Sequence, residues 1–213
     1  MNNNPLIDDL VADLKPVKPL KDFGLFALSC FGFVGVLLFV FSSIGFRLDL
    51  YDAMKNGTLL WKNGGLLLGI ICSLYVVLHS ARPQNQNLSF AIVPIIILLG
   101  LIFSRFLPLI EDKIFIKEMT NVNMGGWQMC LGVTLFGSFA IFTIMWNFWL
   151  KNTAPNNPRL LGFASGALSA LLAAFAYSFH CNMDGIFYYL ICYWVPIFAI
   201  AIFGYFMGNK LRW

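Results

Sequence analysis

The thiols and their neighbours are the first candidates for chemistry in this chain. His180, Cys181 and Asp184 stand together in a short polar stretch between two apolar runs. Cys130 lies about one helical turn into another apolar run, just after Trp127. Two thiols on the side facing an oxidising compartment can form a reversible disulfide. With His180 they could also hold a soft metal ion transiently, because thiolate and imidazole suit such metals. The plainer alternative is two ordinary cysteines that never meet. Cys30, Cys72 and Cys192 sit inside apolar runs and read as small buried hydrophobes. No two of the five cysteines form a C-x-x-C pair, which argues against a zinc ribbon or a thioredoxin-like centre. A disulfide-generating enzyme would carry paired cysteines within one loop and a quinone site. One cysteine in each of two loops fits sensing better than turnover. Arg47, Asp49 and Asp52 follow the first apolar run. They read either as a solvated loop that stops a helix or as a cation that lowers the pKa of a nearby thiol.

The elements that must position these residues are membrane spans. Of the 213 residues 59% are hydrophobic and only 11% are charged, against roughly 25% charged in a soluble domain. Such a chain cannot cover a globule with polar surface. About 20 apolar residues cross the hydrocarbon core, and six stretches qualify: Phe23 to Phe46, Leu59 to His79, Leu88 to Ile110, Gly125 to Leu150, Leu160 to Phe179 and Gly185 to Gly208. The expected fold is all-α, a six-helix integral membrane bundle with both termini on one side. Lys and Arg number eight on the terminus side and six on the other, which favours cytoplasmic termini. The first apolar run is too long for the core of a secretory signal, and the opening is acidic and polar. Pro94 and Pro196 are single prolines and read as kinks. G-x-x-x-G patterns at Gly65/Gly69, Gly162/Gly166 and Gly204/Gly208 allow close helix packing, either within one bundle or across a homodimer.

The only segment suited to water is 1–22. Leu6, Ile7, Leu10, Val11 and Leu14 form one apolar stripe at helical spacing, with Asp9 and Asp13 beside it. Asn4 and Pro5 make a good helix start and Pro16 stops it. An isolated helix this short is marginal in water, so the tail is expected to fold onto a partner. Its Asp residues make a lipid surface the weaker choice. The division is therefore a tail at 1–22 and a membrane domain at 23–213.

Several classes are disfavoured. A net charge of +4 makes no case for direct nucleic-acid binding. No Asp or Glu falls in the middle of a span, which counts against a proton-coupled transporter. A small transporter or channel, and a membrane thiol oxidoreductase, remain as rival readings. No cofactor is expected, and no enzymatic activity.

Several segments together resemble a known family. The tail reads Asp13-Leu14-Lys15-Pro16-Val17-Lys18-Pro19-Leu20, and the first run is followed by Phe46-Arg47-Leu48-Asp49-Leu50. The fourth span opens Trp127-Gln128-Met129-Cys130. The fifth follows Ala154-Pro155-Asn156-Asn157-Pro158 and ends Ala176-Tyr177-Ser178-Phe179-His180-Cys181. Tyr193-Trp194, Gly204, Gly208 and Leu211-Arg212-Trp213 complete the pattern. This resembles the negative regulator of sigma F family, polytopic anti-sigma factors of the bacterial inner membrane. The resemblance implies an extracytoplasmic-function sigma factor bound through Leu6, Ile7, Asp9, Leu10, Val11, Asp13 and Leu14 of a cytoplasmic tail. It further implies release of that factor on a periplasmic metal or oxidative stress. The family's two periplasmic cysteines map onto Cys130 and Cys181, and a periplasmic arginine onto Arg47, with His180 beside them. The lipid bilayer, and a second copy of the chain, are the other expected partners.

Overall fold

The computed structural model describes residues 22–55, 57–82, 127–182 and 186–211. Helix α1 is Asp22–Ser43, a short α2 is Leu50–Lys55 and α3 is Thr58–Ser80. Helix α4 is Trp127–Phe148, followed by a 3-10 turn at Leu150–Asn152; α5 is Pro158–Ser178. Helix α6 is Ile186–Tyr189, which continues through a π-helical turn, Leu190–Trp194, into α7, Val195–Gly208. No strand occurs among the described residues. Five of the described stretches are long and apolar enough to cross a membrane: Asp22–Ser43, Lys62–Ser80, Trp127–Asn152, Pro158–Ser178 and Leu190–Leu211. The third expected span, Leu88 to Ile110, and the tail with its stripe from Leu6 to Leu14 lie outside the described residues.

Helix α5 is the centre of the bundle, with α1, α3, α4 and α7 packed around it. Fifteen of its 21 residues are buried. Its sequence explains why: Gly162, Ala164, Ser165, Gly166, Ser169, Ala170, Ala173 and Ala174 are small, so neighbouring backbones approach closely. The serines cost little there. Ser165 donates to the Leu161 carbonyl at 2.7 Å, and Ser169 to that of Gly166 at 2.8 Å. Asn157 starts α5 by accepting the Leu160 N–H at 3.2 Å, and Pro158 fills the first turn.

The tightest contact is α5 on α7. A Cβ at Gly162 would overlap the Gly204 carbonyl oxygen, and one at Gly204 would overlap that of Gly162. Gly166 meets Ile200 in the same way, and Gly208 meets Pro158. The third pattern also works inside the chain, because Gly69 faces the Leu171 side chain of α5. All three glycine patterns thus pack within one bundle.

The outer faces carry large apolar side chains: Phe23, Phe31 and Leu38 on α1, Phe136 and Phe148 on α4, Phe198 and Phe206 on α7. Helices that are apolar all round suit lipid rather than water.

The two ends of the bundle differ. At one end α1 begins, and Asp22 pairs with Arg82 just beyond α3. Arg159 at the start of α5 there donates to Asn209 beyond α7 at 2.7 Å. At the other end lie the last turn of α1, the starts of α3 and α4, the end of α5 and the π-helical turn. The described chain leaves at Arg82 at the first end and returns at Trp127 at the second. Gly45 closes α1 with φ +85°, a left-handed conformation that glycine adopts without cost. Its N–H donates to the Val40 carbonyl at 3.1 Å.

The last span differs from the sequence expectation in one respect. The kink anticipated at Pro196 is preceded by a full π-helical turn, in which the Val195 N–H donates five residues back to the Leu190 carbonyl. Proline has no N–H to offer the carbonyl of Cys192 four residues earlier. The helix absorbs the defect by widening, a common solution at functional sites.

Candidate functional site

The residues singled out for chemistry meet at the second end of the bundle. The turn after α1 delivers Arg47, which is only 5% exposed. Its backbone N–H donates to the Phe179 carbonyl at 3.3 Å. Its guanidinium forks onto Asp49, with Nε to Oδ1 at 2.8 Å and Nη2 to Oδ2 at 2.7 Å. The remaining arm, Nη1, donates to the carbonyl oxygen of Cys181 at 3.2 Å. Lys62, at the start of α3 and 6% exposed, donates from Nζ to the same oxygen at 3.2 Å. The Lys62 ammonium also lies 5.0 Å from the centre of the Tyr193 ring, within cation–π range. Two buried cations therefore converge on one peptide carbonyl. Burying a cation is costly unless it is paired and hydrogen-bonded, so this convergence ties α1, α3 and the end of α5 together. The Arg47 guanidinium holds the Asp49 carboxyl below its ordinary value of 3.8.

His180 closes the same corner. Its Nδ1 lies 2.7 Å from the Gly45 carbonyl oxygen, so that nitrogen carries the proton. The ring packs on Tyr177 at 5.6 Å. The N–H groups of His180 and Cys181 both donate to the Tyr177 carbonyl, at 3.0 and 3.2 Å.

The thiols sit directly inward of this polar corner. Cys130, Cys181 and Cys192 are all buried, at 1%, 5% and 0% exposure, and belong to one core cluster. Cys130 has Cys181 and Cys192 as neighbours in that cluster. All three are free thiols. Tyr177 borders Cys130, and Tyr193, whose buried hydroxyl has no hydrogen-bond partner, borders Cys181. Thr134 fixes the backbone at Cys130 by donating to its carbonyl at 2.7 Å.

The structure thus brings Cys130 and Cys181 side by side, with Arg47 on the Cys181 backbone rather than on its thiol. It turns one nitrogen of His180 to the α1 turn. Among the described residues no group of three His, Cys, Asp or Glu side chains is arranged to hold a metal ion. Asp184 lies outside the described residues, as do Leu6, Ile7, Asp9, Leu10, Val11, Asp13 and Leu14.

Cys192, Lys62 and Tyr193 belong to the corner, though none is a site residue in the sequence reading; Cys192 is expected there as a small buried hydrophobe, and it is fully buried. A signal was present. Spans that begin at the end where Cys181 lies must place their first residues at its depth, and Lys62, Cys130 and Cys192 all stand near span starts. Beside the site, an apolar groove of about 810 Å³ runs between α1 and α4. Among the described residues Gln128 is the one polar side chain lining it, beside Phe31, Val36, Met129, Val133 and Phe136.

Comparison with known proteins supplies the remaining context. The family model described as "Negative regulator of sigma F" matches residues 10–213. A protein of Azospira oryzae named "Probable anti-sigma-F factor NrsF" is 28% identical over 221 aligned positions, covering all of both chains. The "Anti-sigma-F factor NrsF" of Caulobacter vibrioides is 25% identical over 218, again with full coverage of both. No solved structure matches the chain.

Proposed function

The chain belongs to the negative regulator of sigma F family, and from that premise we propose that it is an anti-sigma factor. It binds a sigma factor, as the names of its relatives support, and acts by regulation rather than catalysis; in this reading the sigma factor is of the extracytoplasmic-function class. In this reading the bundle lies in the bacterial inner membrane. A sixth crossing at Leu88 to Ile110 completes it, and both termini are cytoplasmic. The tail, 1–22, forms a short amphipathic helix and holds the sigma factor through Leu6, Ile7, Leu10, Val11 and Leu14, flanked by Asp9 and Asp13. Cys130 and Cys181 form the periplasmic sensing site. Arg47 and His180 couple it to α1, and a metal or oxidative stress triggers release.

The observation that carries this reading is the position of α1. Its first residue, Asp22, is the last residue of the tail, and the turn after its last residue is hydrogen-bonded to His180 and Cys181. A helix of 22 residues spans about 33 Å. Any change in how the Cys181 carbonyl is held therefore acts on the far end of the rod that carries the tail. The change must favour a state with lower affinity for the sigma factor. About 1.4 kcal/mol of differential affinity suffices for tenfold release. A transporter needs a polar path, and the groove beside α4 is apolar. A homodimer would need a face other than the glycine patterns.

Co-purification of the sigma factor with a variant lacking 1–22 tests the binding half; undiminished capture sinks it. Stress reporters in Cys130→Ser and Cys181→Ser strains test the sensing half, and a normal response in both removes it.

A further inference from the structure

Cys192 is the thiol that the two-cysteine reading leaves out. It lies in the π-helical turn Leu190–Trp194, and it is fully buried together with Tyr193 of the same turn. Helix α4 packs on this turn. Cys192 is buried in the same core cluster as Cys130 and Cys181. Cys130 therefore stands between two possible partners, one on the loop after α5 and one on the last span. Resting on the sensing reading above, we infer that Cys192 is the resolving thiol of the site, and that oxidised Cys130 exchanges its disulfide partner from Cys181 to Cys192.

The chemistry balances with hydrogen peroxide as the oxidant. Cys181 is the most exposed of the three, though only at 5%. Its sulfur attacks the peroxide, the O–O bond breaks, and two electrons pass from sulfur to peroxide, leaving a sulfenic acid and one water. Cys130 attacks that sulfur; the S–S bond forms, the S–O bond breaks and a second water leaves with the Cys130 proton. Cys192 then attacks the Cys130 sulfur. The Cys130–Cys192 bond forms, and Cys181 leaves as a thiol carrying the proton from Cys192. The last step is internal and redox-neutral, so the burial of Cys192 is no obstacle. Its consequence is specific: Cys181, whose carbonyl is held by Arg47 and Lys62, is released from α4, while α4 becomes tied to the last span.

The chain's methionines make the bonds separable. Cleavage at methionine places Cys130 on fragment 130–145, Cys181 on 146–183 and Cys192 on 184–207, with Cys30 and Cys72 on two others. Full-length protein in native membranes is treated with hydrogen peroxide, free thiols are alkylated, and linked fragments are identified by mass. In wild type we expect a 130–145/146–183 species to rise first and a 130–145/184–207 species to follow at its expense. In Cys181→Ser neither species should rise over untreated protein, because the sulfur that meets the peroxide is gone. In Cys192→Ala the first species should accumulate without decay. Wild type that forms only the Cys130–Cys181 link, with no Cys130–Cys192 link following it, overturns the role of Cys192 and leaves the two-cysteine site standing; a Cys130–Cys192 link that forms equally fast in Cys181→Ser overturns the exchange. Absence of both links overturns the inference and the thiol-sensing reading together. The wild-type time course needs no variant to fold.

Discussion

Replacing Arg47 by Gln isolates the contact that joins α1 to the thiol corner. The substitution removes the charged donor on the Cys181 carbonyl at 3.2 Å and both arms on Asp49. The Asp49 side chain is half exposed, so that solvent-screened ion pair contributes little. The bond to Cys181 is buried and charge-assisted, and its loss costs about 1.5–3 kcal/mol. Lys62 still donates to the same oxygen, which prevents a fully unsatisfied carbonyl and keeps the loss towards the lower figure. Cys181 is 5% exposed, so it reacts with a maleimide only when the corner opens. An opening equilibrium shifted by about 1.4–2.8 kcal/mol speeds that reaction about 10- to 100-fold. The assay is the rate of Cys181 alkylation in native membranes, read on the fragment that carries it. Arg47→Lys should fall between wild type and Arg47→Gln, because an ammonium keeps the charge but not the fork. A rate for Arg47→Gln within about twofold of wild type, less than about 0.4 kcal/mol, would refute the idea that Arg47 holds the corner shut.

Two further outcomes follow from the packing and the charge. Gly166→Leu should separate α5 from α7, because even a Cβ at that position collides with the Ile200 carbonyl; overpacking of about 1–3 kcal/mol or more should show as a lower unfolding midpoint in detergent, while Gly35→Ala, with open space at its Cβ, should not move it. Asp49 has its pKa lowered by Arg47, so its contribution is present above the ordinary value of 3.8 and is lost as pH falls through the folded value. The stability difference between wild type and Asp49→Asn should therefore be constant from neutral pH down to about 4 and shrink below it; a difference that already collapses near pH 6 would contradict the assignment.

Hydropathy located five of the six expected spans on described helices, because being long and apolar enough to cross a membrane is a property of one helix at a time. The stretches expected at Leu160 to Phe179 and Gly125 to Leu150 correspond to α5 and α4, with ends displaced by a few residues. Asn157 and Pro158 also act locally, as a cap and a first turn. The tail and the third span lie outside the described residues, so their expected helices rest on pattern alone. Cys192 was set aside for a physical reason. In an apolar run a cysteine has the same local signature whether it faces lipid, core or another thiol. Only the rotation of the last span decides which, and that rotation depends on a π-helical turn ahead of Pro196.

The thiol pair Cys130 and Cys181 divides in the same way. Residue type and position near span ends were enough to place both at one end of an apolar bundle. Their contact, and the third thiol beside them, come from helices packed at close range through Gly162, Gly166, Gly204 and Gly208. The glycine spacing advertises close packing but names no partner, because small residues permit approach without specifying to what. The two cations on the Cys181 carbonyl were equally hidden. Arg47 and Lys62 each look like an ordinary charge at a span boundary. Their shared acceptor is a backbone atom more than a hundred residues away, which only the assembled bundle brings within reach.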